Sequence, residues 1–181
     1  SNPTVVDPAS LPTNHGFDEF FGYLNHLRAH SYQPSELWQS DSGNASGVGL
    51  YSNNGAYSPD PIHDRAGQFV EDHAGGSLPF YLQMNYTIPH FDIDAVTGAN
   101  PVVDNDGLPI AGTGGLGQYA GSSLSSKEKK YAAMITRMDT YIDQLVKRLD
   151  DPNSEGSNSD SVLNNTLIIF TSDNGATTED G

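Results

Sequence analysis

The sequence contains no cysteine, which excludes a disulfide framework, a thiolate zinc site and a cysteine nucleophile within these residues. Basic side chains are scarce as well: 8 Lys and Arg stand against 23 Asp and Glu, for a formal charge of −15. Gripping a nucleic-acid backbone or an anionic membrane surface needs clustered Lys and Arg, so neither partner is expected. No apolar run approaches the roughly 18 residues of a membrane span, and no signal-peptide pattern opens the chain. There is no internal repeat, and 19 Gly with 11 Pro in 181 residues fall short of low complexity. A Ser-His-Asp set, a GxSxG elbow and a GxxxxGK[ST] phosphate loop are all missing, and the last of these argues against a P-loop NTPase.

What is present suits one domain or a large piece of one, with a modest core and much loop. The chain opens on Ser1 and stops at Gly181 in mid-loop, so the expectation is an internal part of a single domain over residues 1–181. Charge is uneven: residues 1–126 hold 13 acids and only Arg28 and Arg65, while residues 127–181 hold 10 acids and the other six bases. From Lys127 to Leu149, Tyr131, Met134, Ile135, Met138, Tyr141, Ile142, Leu145, Val146 and Leu149 recur at three- and four-residue steps, which predicts a long amphipathic helix. Ser125-x-x-Glu128 has the capping-box pattern, and Lys147 and Arg148 followed by Asp151-Pro152 mark the end. A shorter helix is predicted over Ile62 to His73. Phe80 to Tyr86 and Thr166 to Thr171 are short apolar runs bounded by turn residues, and are predicted to be buried strands. Strand, long loop, helix, linker and strand is the order of a parallel βαβ unit. The fold class is therefore α/β.

In an open α/β sheet, ligands bind beyond the carboxyl ends of the strands. Here those positions hold Pro89-His90 and Ser172-Asp173-Asn174-Gly175. Asp173 and Asn174 offer hard oxygen donors suited to Ca²⁺, with Mg²⁺ as the other candidate, but two ligands cannot complete a shell of 6 to 8 oxygens. On spacing alone, Asp-Asn-Gly reads first as a simple turn. His90 has the side chain whose unperturbed pKa lies nearest neutrality and could donate a proton or bind an anion, or be an ordinary loop histidine. Asp104-Asn105-Asp106-Gly107 lacks the twelve-residue frame and closing Glu of an EF-hand, and reads as a turn.

Four segments in order, Leu11 to Trp38 (LPTNHGFDEFFGYLNHLRAHSYQPSELW), Tyr57 to Asp60 (YSPD), Leu78 to His90 (LPFYLQMNYTIPH) and Tyr131 to Gly175 (YAAMITRMDTYIDQLVKRLDD…NTLIIFTSDNG), cover about half of the chain. Together they resemble the formylglycine-dependent sulfatases, the arylsulfatase-type branch of the alkaline phosphatase superfamily. The resemblance implies an alkaline-phosphatase-like fold with a mostly parallel central sheet and flanking helices. It also implies that Asp173 and Asn174 bind the active-site calcium, and that His90 contacts the sulfate group and is catalytic in protonating the leaving oxygen. By the same resemblance, Gly16, Phe17 and Asp18 belong to a structural signature, and His30 and Tyr32 line the substrate pocket.

The sequence departs from the family in respects that matter for chemistry. No Cys/Ser-x-Pro-x-Arg motif, the source of the formylglycine, occurs; Ser1-Asn2-Pro3-Thr4-Val5 has Val where Arg belongs. The paired aspartates of the metal site, and the lysine segments before GFD and after DNG, are absent too. The expectation is an internal part of a sulfatase catalytic domain, inactive on its own, from an enzyme that hydrolyses sulfate esters of small molecules or carbohydrates by a calcium-assisted formylglycine mechanism. Periplasmic or secreted localisation is implied by the resemblance. The alternatives are a phosphodiesterase or phosphonate hydrolase of the same superfamily, and a noncatalytic calcium- or carbohydrate-binding module.

Overall fold

The computed structural model describes residues 11–24, 29, 32–41, 49–90 and 115–175. Three short strands, β1 (Glu19–Gly22), β2 (Glu36–Asp41) and β3 (Gly49–Ser52), form an antiparallel sheet in the order β1-β2-β3. Gly22 pairs with Trp38, and Trp38 with Leu50 on the other side. On this sheet the Phe21 and Tyr51 rings meet edge to face at 5.0 Å. Leu37 is fully buried beneath it. Just before β1, Gly16 takes φ +96°, a conformation that side-chain-bearing residues resist.

Helix α1 (Pro59–Ala74) follows β3 through a turn that Asn53 closes, its side-chain amide donating to Pro34 O at 2.8 Å and Ala56 O at 2.6 Å. The helix begins three residues earlier than predicted because Pro59, which has no N–H to leave unpaired, fits its first turn. Pro59, His63, Ala66 and Val70, at steps of four, three and four, form its buried face. Helix α2 (Ser126–Asp150) has the predicted capping box, with both Ser125–Glu128 hydrogen bonds made, and Lys147 and Arg148 in its last turn. The two helices pack together. An aromatic-rich core gathers Tyr32, Tyr57, Ile88, Ala133, Met134 and Tyr141, with Tyr86, Tyr119, Tyr131 and Met138 around them.

The sheet departs from the expected one. Neither Phe80–Tyr86 nor Thr166–Thr171 is in a ladder, and the described sheet is antiparallel throughout. Along Phe80–Tyr86, exposed Tyr81, Gln83 and Asn85 alternate with half-buried Leu82, Met84 and Tyr86, the period of an extended chain. The second segment is bare, with Leu167, Ile169 and Phe170 at 84%, 77% and 68% exposure. A parallel strand exists only through hydrogen bonds to neighbours reached by long crossovers, and among the described residues no neighbour pairs with either segment. Among the described residues there are thus an antiparallel sheet and two α-helices, and no parallel βαβ unit is formed. The EF-hand-like turn at 104–107 lies outside the described residues.

Candidate active site

The segment Thr87-Ile88-Pro89-His90 is a tight turn with a cis Ile88–Pro89 peptide, closed by His90 N–H donating to Thr87 O at 3.0 Å. Ile88, only 3% exposed, plugs the turn into the aromatic core. His90 itself is exposed, so its backbone is anchored while its imidazole faces outward. Tyr32 is 1% exposed, and its hydroxyl donates to both Thr87 O (2.9 Å) and His90 O (2.8 Å). The structure thus brings Tyr32 and His90 together through the backbone of the turn. His30 lies outside the described residues.

Asp173 and Asn174 sit on an exposed turn after the bare segment, with Asn174 N–H donating to Asp173 Oδ1 at 2.9 Å and Ser172 Oγ donating to Asn174 O. Two adjacent oxygen donors on an exposed turn fit a hard cation such as calcium. They do not complete its shell. Among the described residues no group of three or more His, Asp or Glu could hold a metal, so further ligands would come from elsewhere.

A third feature escaped the sequence reading. Between α1 and α2 a cavity of about 480 Å³ is lined by Asp60, His63, Thr136, Arg137, Tyr141 and Gln144, among others, and none of His90, Asp173 or Asn174 reaches it. Arg137 Nε donates to Asp60 Oδ1 at 2.9 Å and to Tyr141 Oη at 2.8 Å, and both a second guanidinium nitrogen of Arg137 and the Tyr141 hydroxyl bond to the same carboxylate oxygen. The guanidinium also lies 5.5 Å and 5.6 Å from the Tyr57 and Tyr141 ring centres. Burial weighs against the Arg137 charge, but its bonds to Asp60 and Tyr141 outweigh burial and hold it protonated. Burial first, then the Asp60 carboxylate, pushes the Tyr141 hydroxyl well above its usual range. With its charge matched by Asp60, Arg137 clamps the start of α1 to the middle of α2 and is not a free receptor for an anion. The residues are 77 apart in sequence, and no spacing rule links them.

The family model Sulfatase matches residues 2–181. The chain belongs to the sulfatase family. Among curated sulfatase relatives, it is 23% identical to a protein named Sulfatase from Formosa agariphila over 122 residues, 64% of this chain and 19% of that protein. It is 27% identical to Arylsulfatase J of Mus musculus over 173 residues, 91% of this chain and 24% of that protein. The chain therefore spans about a fifth to a quarter of the length of these sulfatases. Among the described residues of this sulfatase chain, no helix is long and apolar enough to cross a membrane.

Proposed function

We propose that these residues are an internal part of the catalytic domain of a sulfatase that hydrolyses sulfate esters of small molecules or carbohydrates. The family match over residues 2–181, which takes in both the His90 turn and the Asp173-Asn174 turn, carries this reading. In it, Phe80–Tyr86 and Thr166–Thr171 are strands of a mostly parallel sheet, and the two turns stand beyond their carboxyl ends, where α/β folds bind ligands. Asp173 and Asn174 contribute calcium ligands, and the bound cation would supply positive charge to the sulfate oxygens.

This chain's own contribution is proton handling and orientation. His90, exposed on a turn whose backbone is fixed to the core, holds a proton on its imidazole and passes it to the leaving oxygen, the help a poor leaving group needs. The chain's net charge of −15 opposes sulfate, and Arg65, Arg137, Lys147 and Arg148 are each committed to a carboxylate. The metal is therefore the natural source of the attracting field. The formylglycine belongs to another part of the protein in this reading, since its motif does not occur in these residues, and the 181 residues alone are inactive. Export to the periplasm or the cell exterior is part of the same proposal.

The test is made in the full-length protein with a sulfate ester of a poorly acidic alcohol, whose departure needs a proton, turnover being followed by sulfate release, and with a metal assay. His90→Ala and Asp173→Ala are each expected to lower sulfate release by about a hundredfold or more, and Asp173→Ala also to lower bound calcium. Near-normal turnover in either variant removes that residue from its role. Phosphate release in place of sulfate would move the protein to phosphoryl chemistry, and calcium loss with no catalytic effect would leave a metal-stabilised module.

A further inference from the structure

Tyr32 is held at every point along its length. Its carbonyl oxygen accepts from Ser58 N–H at 2.8 Å and from Ser58 Oγ at 3.0 Å. Its ring stacks on that of Tyr57 at 5.5 Å, the planes 15° apart. Its hydroxyl reaches the carbonyls at the two ends of the turn that carries His90, at 2.9 Å and 2.8 Å. Ser58 is itself fully buried at the head of α1. A rigid path thus runs from the start of α1 through Ser58 and Tyr32 to the backbone on which the imidazole is mounted.

We propose that Tyr32 is a positioning residue for His90, fixing where the exposed imidazole stands relative to the ester oxygen. The inference rests on the reading of His90 as the proton donor. Proton transfer requires the donor within about 2.6–3.2 Å of the receiving atom, and an error near 1 Å in the placement of a catalytic group can cost about a hundredfold in rate. The His90 N–H to Thr87 O bond closes the turn without help from Tyr32. Removing the Tyr32 hydroxyl should therefore leave the turn folded but free to shift, and its effect should fall on proton donation rather than on substrate binding.

Tyr57 provides a matched control. It stacks against Tyr32 and is as deeply buried, at 4% exposure, yet its hydroxyl has no hydrogen-bond partner among the described residues. In the full-length enzyme, Tyr32→Phe is expected to lower kcat roughly tenfold on a sulfate ester of a poorly acidic alcohol, with KM within about twofold. It should have little effect on nitrophenyl sulfate, whose leaving group needs no proton. Tyr57→Phe should change neither, and Tyr32→Phe added to His90→Ala should cause no further loss. An equal loss on both esters, a loss additive with His90→Ala, or an unchanged kcat on the alkyl ester would overturn the proposal. So would a Tyr32→Phe enzyme that does not fold while Tyr57→Phe does, because the hydroxyl would then be structural. If His90→Ala turns over both esters normally, the reading of His90 fails and this inference with it. If His90→Ala is impaired and Tyr32→Phe is not, only the inference fails.

Discussion

At the scale of single residues, His63 shows how packing sets a property that sequence position does not. It is 7% exposed, stacked on Tyr141 at 4.4 Å, with Nδ1 3.1 Å from the Tyr86 hydroxyl. Burial lowers its pKa; a hydrogen bond to Gln144 and the carboxylates of Asp64 and Asp60 work against that, and Arg137 adds to the lowering. A histidine with a depressed folded pKa binds its proton more readily unfolded, so stability is present above the unfolded value near 6.5 and is lost as pH falls toward the folded value. The full-length protein is expected to lose stability between pH 7.5 and 5.5, and His63→Gln to reduce that loss. Comparing denaturant midpoints of the two proteins at both pH values isolates the contribution, and parallel losses would show that His63 is not responsible. Tyr32 teaches a related lesson. Its resemblance-based assignment concerned substrate, whereas its burial and its bonds to the His90 turn came into view only through contacts across 55 and 58 residues.

At the scale of elements, the helices were legible and the sheet was not. Helix α2 declared itself through a stripe repeated over six turns and through end signals that are local in sequence. Strands β1 to β3 span only four, six and four residues, too few for alternation to stand above chance, although the Gly- and Ser-rich residues between β2 and β3 are a hairpin signal in the sequence. The Asp60–Arg137 clamp joins α1 to α2 through side chains whose partnership only the tertiary fold creates. The Ser125 cap is different, being a local device that can be removed alone. Ser125 Oγ accepts Glu128 N–H at 3.3 Å, and Glu128 Oε2 accepts Ser125 N–H at 2.7 Å; hydrogen bonding from the Ser125 side chain first, and from its backbone second, lowers the Glu128 pKa. Ser125→Ala is expected to destabilise the protein by about 1 kcal/mol, and Ser125→Asp to keep most of the stability. A thermal melt of both variants checks this, and an Ala variant as stable as the parent would show that the first turn is held by packing instead.

At the scale of the whole molecule, the distribution of apolar surface carries the argument. Leu78, Tyr81, Leu167, Ile168, Ile169 and Phe170 are each at least half exposed, an apolar surface that a soluble protein ordinarily covers. Four of the six lie consecutively in Leu167–Phe170, the segment that leads directly to Asp173 and Asn174. The chain also spans only 19% and 24% of the two relatives. A sheet strand buried on both faces would account for such a sequence, whose apolar residues run continuously rather than alternating. If Thr166–Thr171 is a strand in the complete protein, its amides are bonded to neighbouring strands there and to water in the 181-residue chain. Hydrogen exchange at Leu167–Phe170 should therefore be at least about a hundredfold slower in the full-length protein than in the 181-residue chain. The α2 core amides around Met134 and Tyr141 serve as the internal reference for overall stability. Exchange equally fast in both proteins would mean that the segment is not a sheet strand, and the turn bearing Asp173 and Asn174 would lose the rigid support that a metal site requires.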